Sequence, residues 1–348
     1  MNKLNVLITG SGSLYGVAVI QSLLKSKLNV KLVATDTRPH TLGLHLAHRA
    51  YIIPPVREEQ SYLKRLLEII RKEKIHANFI ASAQELPFYS HYKTMIEDET
   101  GAKVFTNTAK VFSICSDKWN TINFLKEHHF PYPNTIRYPE DKEQIDNFLK
   151  KVGFPIFVKP RWGQGSEDIH IVQDLSSLRQ VLSQKKDMVL QQYLPGDHEE
   201  FTVGICSGAD GKILSAIALN RQLQDGITMV ATSNPASIHY KDITEYCKQV
   251  TKTLKPYGPC NFQLRLWKGK AYIFEINPRF SSTTGIRTLL GVNEPEILLR
   301  AELLQEKIQD LKILKSSVIR QYTDYLVPTE QLVKLERESF LSKDEKVE

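Results

Sequence analysis

Between residues 4 and 105, short apolar runs alternate with longer segments whose leucines and isoleucines recur at helical spacing. That alternation restricts this part of the chain to a parallel α/β sheet. Leu4 to Thr9 reads as a buried strand, Val17 to Lys25 as a helix, and Val30 to Thr35 as a second strand ending at Asp36. Helix Glu58 to Lys74, strand Ala77 to Ala81, helix Leu86 to Asp98 and strand Lys103 to Phe105 continue the pattern. Ligand crevices in such sheets lie at the carboxyl ends of the strands, here Gly10, Asp36 and the turn Ser82-Ala83-Gln84-Glu85. Glu85 is expected to cap the helix that follows.

The turn Gly10-Ser11-Gly12-Ser13-Leu14-Tyr15-Gly16 approaches the G-x-G-x-x-G pattern of dinucleotide-binding folds, with Asp36 placed to meet a ribose. Tyr15 stands where the third glycine belongs and Gly16 arrives one residue late. The run therefore reads as a glycine turn that launches a helix.

A chain of 348 residues exceeds a single core, so two or three domains are expected. Its 41% hydrophobic and 24% charged content is that of a folded globular protein. The net charge of +7 is spread without long basic blocks, which argues against nucleic-acid binding and suits a small anionic substrate such as ATP. Cys115, Cys206, Cys247 and Cys260 form no C-x-x-C pair, so a zinc site is not expected. The N-terminus lacks the regions of a signal peptide and no apolar run reaches the ~18 residues of a membrane span, so a cytoplasmic protein with no membrane partner is expected.

The second half concentrates the chemistry. Strand Ala271 to Ile276 leads into Asn277, Pro278 and Arg279. Glu275 and Asn277 are two apart and so share a strand face, as two oxygen ligands of one Mg²⁺ must. Arg279 offers a planar fork to phosphate or acyl-phosphate oxygens. Upstream, a β-rich run ends at Lys159, a point charge for phosphate, and is followed by Gly163 and Gly165, whose backbone N–H groups could converge on phosphate oxygens. Gln191 to Leu194 reads as a connector between lobes, and Glu199-Glu200 leads into another strand. Cys260 to Trp267 pairs through Lys268-Gly269-Lys270 with the strand carrying Glu275, placing Gln263 beside it. Arg221 to Asn234 reads as a loop. Arg221, Arg287 and Thr228 are candidate substrate contacts, with Ser281 to Thr284 a candidate wall of the acceptor pocket.

Taken in order, Asp117-Lys118, Val158-Lys159-Pro160 with the Gly163 to Ser166 lid, the Gln191 to Leu194 hinge, Glu200, and Gln263 followed by Glu275-x-Asn277-Pro278-Arg279 resemble the ATP-grasp superfamily. The resemblance is to its carbamoyl-phosphate-synthase-like branch and covers roughly residues 1 to 325. It implies a Rossmann-like pre-ATP-grasp domain over 1–115 and an ATP-grasp small lobe with a glycine lid over 116–187. A large lobe with the metal site would follow over 188–330. Independently of the resemblance, the composition turns charged from about Gln331, so a flexible tail is expected over 331–348. By the same resemblance Lys118, Lys159, Gly163, Gly165 and Ser166 meet the phosphates of ATP. Gln191, Gln192, Tyr193 and Leu194 meet adenine, and Glu200 meets the ribose. Gln263, Glu275 and Asn277 hold one or two Mg²⁺ ions, with Mn²⁺ an acceptable substitute, and Arg279 and Lys159 serve the phosphoryl transfer. Relatives often carry an acid where Gln191 or Gln192 stands. The implied activity joins a small-molecule carboxylate to an amine, or less readily a thiol, through an acyl phosphate; a homodimer is left open. Two other classes stay in view: an NAD-dependent oxidoreductase built on the first domain, and a nucleotide-binding regulator without chemistry.

Overall fold

The structure is a computed structural model that describes residues 3–163, 168–196 and 200–343. Gly165 and Ser166 of the expected lid lie outside the described residues.

Strands β1 (Leu4–Thr9), β2 (Val30–Asp36), β3 (Arg49–Ile52), β4 (Ala77–Ile80) and β5 (Lys103–Phe105) form a parallel sheet in the order β3-β2-β1-β4-β5. This is the doubly wound order, with its switch point between β1 and β4. Val6 and Ile8 pack into one layer with Val19, Ile20 and Leu23 of helix Leu14–Leu24. Leu7 and Val33 pack into the other with Leu66 and Ile69 of helix Glu59–Glu73. Successive strand residues face opposite sides, so both faces are covered.

The glycine turn at the end of β1 is filled. Gly12 N–H donates to Asp36 Oδ2 at 2.8 Å, and the other Asp36 oxygen accepts from Thr37 and Arg38 N–H at 2.8 and 3.3 Å. A Cβ on Gly12 would meet the Thr41 side chain. The donor a pyrophosphate needs and the acid a ribose needs are thus bonded to each other. Glu85 also departs from expectation. It makes no side-chain cap; its buried carboxylate accepts from Thr9 Oγ1 at 2.7 Å and Tyr62 OH at 2.9 Å, and burial raises its pKa to about 7.

Strands β6 (Thr135–Tyr138), β7 (Ile156–Pro160), β8 (His170–Val172) and β9 (Met188–Gln192) form an antiparallel sheet in the order β6-β9-β7-β8. The expected lobe boundary after residue 187 falls before β9, yet β9 lies inside this sheet, so the small lobe runs through Gln192. Helix Lys118–Glu127, expected to open that lobe, buries Ile122, Phe124 and Leu125 against Phe201, Val203 and Phe262 instead.

Strands β10 (Glu200–Ser207), β11 (Ile213–Gln224), β12 (Ile227–Ser233), β13 (Gly258–Trp267), β14 (Lys270–Asn277) and β15 (Ser316–Ile319) make a larger antiparallel sheet ordered β14-β13-β10-β11-β12-β15. The expected loop after Arg221 is therefore a hairpin. Asp225 and Gly226 both take positive φ, as a tight Asp-Gly turn between twisted strands requires.

The charged tail expected from residue 331 is ordered through Lys343. Helix Thr329–Glu338 places Leu335 in the first core, and β16 (Phe340–Ser342) pairs antiparallel with β3 at the edge of the first sheet. A few apolar positions with helical and strand spacing suffice to dock it, and net composition hides them.

Candidate functional site

Small sheet, large sheet and first domain meet at a cavity of about 410 Å³, within the range of small-ligand sites. Lys118, Lys159, Arg221, Arg265 and Arg279 face it against two carboxylates, Glu200 and Glu275. That surplus of positive charge favours an anionic ligand.

β14 delivers one corner. Glu275 borders both this cavity and an adjoining one of about 280 Å³, which Asn277 also lines. Asn277 Nδ2 donates to Glu275 Oε1 at 2.9 Å, while its Oδ1 accepts from Arg279 Nη2 at 3.1 Å. Just past Pro278, the buried Arg279 also donates to the Phe280 carbonyl at 2.8 Å. Glu275 and Asn277 are hard oxygen donors of the kind Mg²⁺ takes when phosphates complete its shell. Among the described residues no three His, Cys, Asp or Glu side chains come together as a metal-binding group.

Gln263 stands opposite Glu275 in the β13–β14 register. Its amide oxygen accepts from Arg221 Nη2 at 2.7 Å, as the Asn277 amide oxygen accepts from Arg279, and Gln263 lines the same cavity as Glu275.

The lysines form a second corner. Lys159, on β7, is buried and donates to Gln191 Oε1 at 2.8 Å; Gln191 Nε2 in turn donates to Thr135 Oγ1 at 2.9 Å. Burial first, and the nearby Lys118 charge second, push the Lys159 pKa down to about 7, and its hydrogen-bond partner is a neutral amide. Lys118 Nζ donates to the Gly163 carbonyl at 3.1 Å, and burial lowers its pKa as well. Gly163 itself has φ +106°, a conformation that favours glycine. Arg161 anchors this loop to the helix start through Asp117 at 2.6 Å.

A phosphate dianion beside Lys159 would raise its pKa again. At pH 8 the free side chain is mostly neutral, so nucleotide binding is expected to take up close to one proton. Calorimetric titration with ATP in buffers of different ionisation enthalpy measures this directly. The uptake should vanish below pH 6 and in Lys159→Met.

Glu200 opens β10 opposite Arg265 in the β10–β13 register. One carboxylate oxygen accepts from Arg221 Nε and Nη2 at 3.1 and 2.6 Å, the other from Arg265 Nε and Nη2 at 3.2 and 2.9 Å. Burial alone would raise its pKa, but the two arginines outweigh it and hold the carboxyl below the usual range. Sequence reading placed Glu200 on a ribose and missed Arg265. The cue was available, since Gln263-x-Arg265 repeats the two-residue spacing that puts side chains on one strand face.

The remaining candidates divide. Gln191, Gln192, Leu194 and Thr228 line the cavity, as do Ser281, Ser282 and Thr283. Tyr193 does not; its ring packs on Phe157 with centroids 5.1 Å apart. Arg287 is also withdrawn, fully buried and paired with Glu294 at 2.9 Å. It donates further to Asn261 and to Thr202 Oγ1, both of which line the cavity, so it supports the wall from behind. Tyr15, from the irregular glycine turn, is a lining residue that the sequence reading did not place.

Three family models match in succession: a PylC-like N-terminal domain over residues 6–105, a RimK-like ATP-grasp domain over 115–226, and an ATP-grasp "in the biosynthetic pathway with Ter operon" over 184–325. The carbamoyl phosphate synthase large chain of Clostridium perfringens is 27% identical over 227 residues, 54% of this chain and 21% of that one. The chain thus spans about a fifth of that relative's length. The formate-dependent phosphoribosylglycinamide formyltransferase of Bacillus velezensis is 24% identical over 84% of this chain and 75% of its own. Among solved structures, N5-carboxyaminoimidazole synthetase from Staphylococcus aureus superposes with a TM-score of 0.71 at 17% identity, covering 96% of this chain and 85% of that one. The same synthetase complexed with ADP gives 0.68 at 16% identity, covering 91% and 80%. A Rossmann-like domain followed by two lobes around a cation-rich cavity, with two ATP-grasp models running together from residue 115 to 325, places the chain in the ATP-grasp superfamily.

Proposed function

We propose that the protein is an ATP-dependent ligase that activates a small-molecule carboxylate as an acyl phosphate and passes the acyl group to an amine. The observation that carries this reading is the meeting of Lys118, Lys159, Glu275 and Arg279 on one cavity wall. Those four side chains match the demands of phosphoryl transfer, which are charge neutralisation and alignment.

A carboxylate resists nucleophiles because it is negatively charged and lacks a good leaving group. In the proposed reaction one carboxylate oxygen attacks the terminal phosphorus of ATP and the bond to the ADP oxygen breaks. The amine then attacks the acyl carbon, the bond to the phosphate oxygen breaks, and phosphate departs with an oxygen that began in the carboxylate. The amine loses one proton. Glu275 and Asn277 would hold Mg²⁺, or Mn²⁺ in its place, which supplies charge neutralisation on the phosphates. Lys118, Lys159 and Arg279 spread the charge developing on the transferring group. Gln191, Gln192 and Leu194 form the wall for adenine. Arg221, Thr228 and the hydroxyls of Ser281, Ser282 and Thr283 form the wall for the acid and acceptor. Trp162 and Gly163 border the same space and would limit access of water to the intermediate.

The test is an ADP-release screen across amino acids and small carboxylates, each with and without an amine. The reading expects release that needs both partners and disappears in Lys159→Ala. Tight ATP binding with no release for any pair would identify a nucleotide-binding regulator and contradict it.

A further inference from the structure

We infer that Tyr15 is a positioning residue that holds Arg279 for contact with the terminal phosphoryl group; this rests on the nucleotide-binding reading above. Tyr15 sits in the first turn of helix Leu14–Leu24, whose start is fixed by Ser13 Oγ accepting from Gly16 N–H at 3.0 Å. From there its ring covers the Arg279 guanidinium, with Cζ 3.9 Å from the ring centroid, and its hydroxyl accepts from Nη2 at 3.3 Å. Both residues line the cavity.

The bonds Arg279 makes to Phe280 and Asn277 come from its own stretch of chain, so they move with it. Tyr15 adds a contact from another domain, 264 residues away in sequence. A ring face laid on a guanidinium attracts it and fixes its plane. Arg279 is buried, so a neighbour whose ring face stabilises the cation is suited to the site. The residue that spoils the dinucleotide motif thereby couples the first domain to the phosphate corner.

The experiment titrates the full chain with Mg²⁺-AMP-PNP and with Mg²⁺-ADP, comparing wild type with Tyr15→Phe, Tyr15→Leu and Tyr15→Ala. Phenylalanine keeps the ring face; leucine keeps apolar bulk without it. We expect the Leu and Ala variants to weaken AMP-PNP about tenfold while ADP changes less than about twofold, and Tyr15→Phe to stay within about threefold of wild type for both. If Leu and Ala leave AMP-PNP unchanged, weaken both nucleotides equally, or match Phe, the assignment of Tyr15 is overturned while the nucleotide reading stands. Wild type that binds neither nucleotide overturns that reading and this inference with it. Melting temperatures check that the variants are folded, and loss of folding in Tyr15→Ala leaves Tyr15→Leu as the deciding variant.

Discussion

Glu275→Ala is expected to cut carboxylate-dependent ADP release by about a thousandfold or more, with the fold unchanged. Glu275 is an acidic side chain that borders both halves of the cavity, and it lies within hydrogen-bond reach of Asn277, which in turn holds Arg279. Removing it deletes the negative charge that would hold a divalent cation among cationic neighbours. It also frees the Asn277 amide that helps set Arg279. Glu275→Gln should lose nearly as much, because the amide keeps shape but not charge. Steady-state kinetics with varied Mg²⁺ checks this; a Glu275→Gln enzyme within tenfold of wild type at saturating Mg²⁺ would remove Glu275 from the cation site.

Arg287→Ala is expected to cost about 3–5 kcal/mol of stability, because it leaves a charge without its partner in the interior. Glu294 and Arg287 are almost wholly shielded, with side-chain exposures of 0% and 1%. The pair is packed so closely beneath β10 that a Cβ at Gly204 would collide with both. Replacing both ends by apolar residues of similar volume, as in Arg287→Met with Glu294→Leu, should recover much of the loss, since no isolated charge remains. Urea unfolding followed by fluorescence measures the difference. A single variant as stable as wild type would mean that water reaches the pair.

Arg287 also marks the limit of what could be read from the sequence. An arginine just past a loop rich in Ser and Thr has the same local pattern whether it faces substrate or the core. What decided the matter was Glu294, seven residues on, and Asn261 on a strand far away in sequence. The βα order of the first domain was legible because its helices are long and periodic enough to identify themselves. β3 and β16 were not: β4 and β5 are as short but are marked by the long helices beside them, whereas β3 follows a five-residue helix and β16 lies in a charged C-terminal stretch. The hairpin of β11 and β12 was legible in principle from Asp225-Gly226 between apolar flanks.

Within the site, residues delivered by a single strand were placed well. Glu275 and Asn277 were put on the strand that carries them, and Lys159 on the strand before its loop. Relations between segments were not accessible. Glu200 and Gln263 are typed correctly as polar strand residues, but only the pairing of β10 with β13 and β11 shows that arginines occupy them. Tyr15 stood out as an error in a motif, and its use became visible only when the first domain was docked on Arg279.

The central claim is that a substrate carboxylate oxygen is phosphorylated and later leaves on phosphate. It is tested most directly by supplying the active carboxylate labelled with ¹⁸O in both oxygens and weighing the phosphate released. The account predicts phosphate carrying one ¹⁸O for each ADP formed, at equal rates. ADP formed together with unlabelled phosphate would show that water or another group takes the phosphoryl group, and would contradict it.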